Sequence, residues 1–96
     1  MADTPRANNN AALNRFEIVS EGSDTPAILE YRRSGDQITL THTEVPSALE
    51  GRGIGAALAK AALEFAREQH LRVVPACSFV AAYVKRHPEY EDLVVR

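Results

Sequence analysis

From Arg15 onward, apolar and polar residues alternate with the period of two that a pleated strand requires. Arg15 to Ser20 (RFEIVS) puts Phe16 and Ile18 on one face and predicts a short strand. Glu21 to Pro26 is a turn-rich break. Ala27 to Arg33 (AILEYRR) predicts a second strand, and Ser34-Gly35-Asp36 a tight hairpin turn, since glycine reaches positive φ without steric cost. Gln37 to Val45 (QITLTHTEV) predicts the third. Its β-branched residues and unbroken alternation set Ile38, Leu40, His42 and Glu44 in one row, provided that no bulge intervenes.

After Pro46 to Glu50 and the glycine-rich Gly51 to Gly55, the period changes to that of a helix. Ile54, Leu58, Ala61, Ala62 and Phe65 form one stripe, while Lys60, Glu64, Arg67 and Glu68 fall largely off it, predicting a helix from about Gly53 to Gln69. Leu71 to Pro75 reads as a short buried strand. Ser78 caps a second helix through about Lys85, which His87-Pro88 ends. Tyr90 to Val95 forms a last strand or a packed tail. Residues 1–14 are polar, with an Asn8-Asn9-Asn10 run, and predict a flexible N-terminal tail. That leaves 15–96 as a single domain.

The fold class is α+β (mixed α/β): antiparallel hairpins followed by a β-α-β-α unit, with a central mixed sheet flanked by helices. The connection from the third strand through the long helix is long enough for a parallel crossover. A ligand is expected beyond the strand's carboxyl end, beside the helix N-terminus.

Composition narrows the partners more than the fold. Of 96 residues, 45% are hydrophobic and 25% charged, as in ordinary globular domains. A net charge of −2 argues against a nucleic-acid partner, which usually needs a basic excess. No stretch is apolar enough for a secretory signal or a membrane span, so neither is expected. The single cysteine, Cys77, cannot form an intrachain disulfide and fits a reducing compartment, so the expected location is cytoplasmic. His42, His70, His87 and Cys77 lack metal-ligand spacing, and no metal is expected.

The glycine-rich turn has a definite physical use. A helix's first turn holds four backbone N–H groups without intrahelical acceptors, and the macrodipole adds partial positive charge there. Glycines at 51, 53 and 55 remove Cβ atoms that would keep a bulky anion away, and Arg52 can add a charge-assisted contact. The spacing fits neither the P-loop nor the dinucleotide fingerprint. A plain turn with close helix-strand packing explains the same residues.

A strand, then Val45-Pro46, then Glu50-Gly51-Arg52-Gly53-Ile54-Gly55 opening a helix, resembles the acetyl-CoA-binding motif of the GNAT superfamily of N-acetyltransferases. With Thr41-His42-Thr43-Glu44 before it, and Pro75-Ala-Cys-Ser-Phe-Val-Ala-Ala-Tyr83-Val-Lys-Arg-His87-Pro88-Glu89-Tyr90 after it, the chain resembles the short yjdJ-type domain over residues 15–95. The resemblance implies coenzyme A as cofactor. The pantetheine would lie where the third strand parts from the Val73-Val74 strand, with the Val45 backbone holding the arm or its thioester oxygen. The amides of Arg52, Gly53, Ile54, Gly55 and Ala56 would receive the pyrophosphate. Glu50 stands where the superfamily prefers Arg or Gln, and the helices that usually precede the hairpin and shape the acceptor pocket are absent from the sequence.

Acetyl transfer needs a deprotonated amine, a polarised thioester and a proton for the departing thiolate. Tyr83 resembles the tyrosine many GNAT enzymes use as general acid, and an amphipathic core tyrosine fits its position too. His42, directly or through water, or Glu44 is the candidate base. A core-edge histidine is the alternative for His42, and Thr41 and Thr43 read as strand formers. Cys77, near a helix N-terminus, is either a small buried hydrophobe or, beside the cofactor arm, a site of transient acetylation. The expectation is an N-acetyltransferase acting on an amine, whether a small molecule or a protein lysine. The alternative is a non-catalytic module that binds CoA or a partner protein. Two copies could complete an acceptor pocket as a homodimer.

Overall fold

The structure, a computed structural model, describes residues 6–95. Seven regular elements follow in order: β1 (Asn8–Asn10), β2 (Arg15–Ile18), β3 (Ala27–Ser34), β4 (Gln37–Glu44), α1 (Ile54–Glu68), β5 (Arg72–Pro75) and α2 (Ser78–Arg86). The strands form one sheet in sequence order. Its pairs are antiparallel except β4 and β5, which run parallel across the α1 crossover. The mixed sheet expected from the sequence is present, with strand and helix ends within about two residues of those predicted.

Gly35, at φ +58°, takes the positive angle that a two-residue hairpin loop asks of its first residue. At its far end α1 stops in a paired turn: Leu71 N–H reaches the Ala66 carbonyl at 2.8 Å and His70 N–H the Arg67 carbonyl at 3.3 Å. His70 carries the left-handed backbone there, at φ +58°. This turn aims the chain into β5, whose first N–H, that of Arg72, bonds Asp36 at 2.7 Å.

The ladder partners Ile18–Ala27, Phe16–Leu29, Tyr31–Leu40 and Ile38–Val73 share one face of the sheet, and all are buried. Leu58, Ala62 and Leu63 of α1 and Val80 of α2 are fully buried with them. The opposite row, including Glu30, Thr39, His42 and Glu44, contains no buried residue.

Two expectations need correction. Residues 8–10 of the predicted flexible tail form β1, an edge strand paired with β2. Backbone pairing and asparagine amides hold it, with the Tyr31 hydroxyl donating to Asn9 Oδ1 at 2.7 Å and Asn10 Nδ2 donating to Glu17 at 3.2 Å. None of these needs an apolar period. Residues 1–5 of that tail lie outside the described residues. The second correction is a β-bulge. Glu30 faces His42 but Tyr31 faces Leu40, so Thr41 is the extra residue, and its hydroxyl donates to the Glu30 carbonyl at 3.1 Å. Past the bulge the alternation inverts. Thr43 joins the core row opposite Leu29, while His42 and Glu44 turn to the uncovered face. The C-terminal segment is chiefly a packed tail, a 3₁₀ turn over Pro88–Leu93 that buries Tyr90 and Leu93. It ends in an isolated bridge from Val94 to Val73.

Candidate functional site

The β4–β5 ladder ends at the Leu40–Pro75 pair, after which Cys77 N–H still reaches the Leu40 carbonyl at 2.8 Å. Beyond that bond His42 to Glu44 pair with β3 alone, so β4 and the chain leaving β5 part. A short 3₁₀ turn over Ser47–Leu49 then carries the chain to the glycine-rich turn and α1.

Here lies a cavity of about 400 Å³, lined by Val45, Leu49, Glu50, Gly51, Gly53, Ile54, Gly55, Ala56, Phe79 and Arg86. Its size is that of a small-molecule site. The first intrahelical bond of α1 runs from Ala57 N–H to the Gly53 carbonyl at 3.0 Å, and no side chain caps the helix. The N–H groups of Gly53, Ile54, Gly55 and Ala56 therefore lack intrahelical acceptors at the cavity wall. That arrangement can hold an anion.

The glycines serve different needs. Gly51 and Gly53 have φ of +82° and +73°, and no atom would meet an added Cβ within 4 Å. Their requirement is the left-handed backbone. Gly55 is helical, and a Cβ there would lie 2.8 Å from the Phe79 ring. Its requirement is close approach by α2.

Of the residues singled out in the sequence, Val45, Gly51, Gly53, Ile54, Gly55 and Ala56 converge on this cavity. The Arg52 side chain does not. Its guanidinium donates to the Glu21 carbonyl at 3.0 Å and ties the turn to the β2–β3 loop, away from the anion contact expected of it. Neither Cys77 nor Tyr83 lines the wall.

Cys77 lies half-buried at the parting of the strands, where its Sγ and Thr43 Oγ1 are 3.3 Å apart. Burial opposes ionisation, but the Thr43 hydroxyl and the amides of Val80 and Phe79 outweigh it and draw the thiol below its ordinary value. The sulfur forms no regular cap bond to α2, so these amides act on it as nearby dipoles. Tyr83, one turn after Phe79 on α2, is 5% exposed and stacks on His87 with ring centroids 4.1 Å apart. Burial, together with the charges of Glu89 and Glu64, raises its phenol above the ordinary value. It stays protonated at neutral pH.

His42 Nε2 and Glu44 Oε1 are 3.2 Å apart on the uncovered face. The sequence paired these two correctly but put them in the row of Ile38 and Leu40, which the Thr41 bulge prevents. Thr43, Leu49, Phe79 and Arg86 are the site residues that the sequence reading missed. Phe79, Tyr83 and Arg86 recur at i, i+4 and i+7 of α2, a stripe visible in the sequence. Thr43 carries no such mark, because nothing in the local pattern announces the bulge.

Known proteins share this architecture. The family model described as GCN5-related N-acetyl-transferase matches residues 15–93. Protein NATD1 of Mus musculus is 39% identical over 84 residues, covering 86% of this chain and 76% of that protein. Protein NATD1 of Danio rerio is 36% identical over 93 residues, covering 94% and 84%. The solution structure of a GCN5-like protein from Staphylococcus aureus superposes with a TM-score of 0.68 at 32% identity, covering 85% of this chain and 81% of that one. The chain belongs to the GCN5-related N-acetyltransferase family.

Proposed function

We propose that this protein binds acetyl-CoA in the glycine-turn cavity and transfers the acetyl group to an amine. The observation that carries the reading is the coincidence of that cavity, at an uncapped helix N-terminus, with the parting of β4 from the chain after β5. Four N–H groups without acceptors suit the pyrophosphate, and the wall at Val45 leads toward the parted strands, where an extended pantetheine could pair with the backbone.

The chemistry then divides between the two faces of the sheet. The amine approaches from the uncovered face, where His42, oriented by Glu44, takes its proton directly or through water. The amine nitrogen attacks the thioester carbonyl carbon, the carbon–sulfur bond breaks, and the thiolate takes a proton from Tyr83. The upward shift leaves the phenol protonated until the thiolate forms and makes it a weaker acid, so the donor role rests on the family's tyrosine and not on the shift. The acceptor is a small amine or a protein lysine. The reading sets the protein in the cytoplasm, and no helix among the described residues is long and apolar enough to cross a membrane.

The second reading, a CoA-binding module without turnover, is favoured by Glu50, an acid in the wall of an anion site. Following free thiol release from acetyl-CoA across a panel of amines decides between them. The transferase reading expects amine-dependent release, lowered about 10²–10⁴-fold in kcat by Tyr83→Phe with acetyl-CoA affinity retained. Tight binding without amine-dependent release establishes the module instead.

A further inference from the structure

Charge in the cavity wall is unevenly distributed. The N-terminus of α1 contributes roughly half an elementary positive charge. Glu50, in the same wall, carries a full negative one. On these two alone the cavity would repel a phosphate. Arg52, the arginine inside the glycine-rich turn, does not correct the balance, because its guanidinium is bound to Glu21 and does not line the cavity. Among the described residues lining the cavity, Arg86 is the one cation. It lies in the last turn of α2, two turns beyond Phe79, whose ring packs against Gly55 at the start of α1. Thus α2 brings a positive charge to the same wall as the α1 amides.

We infer that Arg86 determines whether this cavity accepts a phosphate group: it offsets Glu50 and, with the α1 N-terminus, clamps the pyrophosphate of the CoA donor. The inference rests on the acetyl-CoA reading above. Glu50 then acts as a selectivity element. It disfavours anions that cannot engage the helix amides and Arg86 together, as a chelating pyrophosphate can.

The test is calorimetric titration of acetyl-CoA into wild type, Arg86→Gln, Arg86→Lys, Glu50→Gln and the double variant Glu50→Gln/Arg86→Gln, each checked for folding by circular dichroism. Loss of the cation is expected to weaken binding about tenfold or more, and loss of the acid to tighten it about threefold. Arg86→Lys, which keeps the charge, should bind within about threefold of wild type, and so should the double variant, which keeps the helix amides. A merely structural role for Arg86 would not be rescued by neutralising Glu50. Wild-type binding with Arg86→Gln unchanged overturns this inference and leaves the acetyl-CoA reading standing. So does a folded double variant as weak as Arg86→Gln. Absence of wild-type binding overturns both.

Discussion

Cys77 shows how a few contacts set the chemistry of one residue. A free thiol at this degree of burial would ionise less readily than in water. The Thr43 hydroxyl and the first amides of α2 reverse the sign, and the folded-state pKa falls below that of the unfolded chain. The thiolate therefore forms at lower pH than in a free cysteine. Iodoacetamide alkylation followed against pH should show a midpoint below that of the same cysteine in the urea-unfolded chain. Thr43→Val should move that midpoint upward. By linkage, this thiol stabilises the fold above its unfolded pKa, and the contribution is lost as pH falls through the folded value. A midpoint in folded wild type at or above that of the unfolded chain contradicts the account. The Pro75-Ala76 break made the place of Cys77 next to a helix start legible. Ser78, expected as the cap, is instead the first helical residue, and Cys77 holds the cap position without a side-chain bond. The partner of Cys77 was not legible. Thr43 looks like any β-branched strand residue until Thr41 is recognised as an extra residue, and that depends on pairing with Glu30 rather than on local composition.

At the scale of elements, the glycine turn separates backbone need from packing need. Gly53→Ala places a Cβ on a left-handed backbone and should cost about 1–2 kcal/mol in urea unfolding, with the cavity left open. Gly55→Ala gains helix propensity, about 1 kcal/mol, against a ring that must shift. Phe79 is 37% exposed and can yield, so stability should stay within about 1 kcal/mol of wild type while acetyl-CoA affinity falls. Adding Phe79→Ala to Gly55→Ala should recover part of that affinity. The reverse pattern, with Gly53→Ala neutral and Gly55→Ala unfolded, would refute this division. The long elements were legible because their periods are unambiguous. The Ile54, Leu58, Ala62 stripe can only be a helix, and QITLTHTEV can only be a strand. The edge strand β1 escaped because three asparagines pair through backbone and amide groups, which leave no hydrophobic signature.

For the whole molecule, a small core is held at its margins by polar ties. The Tyr90 hydroxyl donates to Glu64 at 2.6 Å, and Arg67 donates to Asp92 at 3.1 Å and to the Glu89 carbonyl at 2.8 Å. Together they fasten the C-terminal 3₁₀ turn to α1. That turn also stacks Tyr90 on Tyr83 of α2, the helix that carries Phe79 and Arg86 to the cavity wall. A domain this small gains appreciably from a ligand by mass action, about 2.7 kcal/mol at a hundredfold excess over Kd. The central claim is that the cavity beneath the glycine turn is the acetyl-CoA site, and calorimetric titration of wild type and Gly55→Trp tests it most directly. The account predicts one acetyl-CoA bound per chain by wild type. In Gly55→Trp, whose circular dichroism shows it still folded, the indole fills the cavity beside Phe79 and binding is lost. No binding by wild type, or equal binding by both proteins, would contradict it.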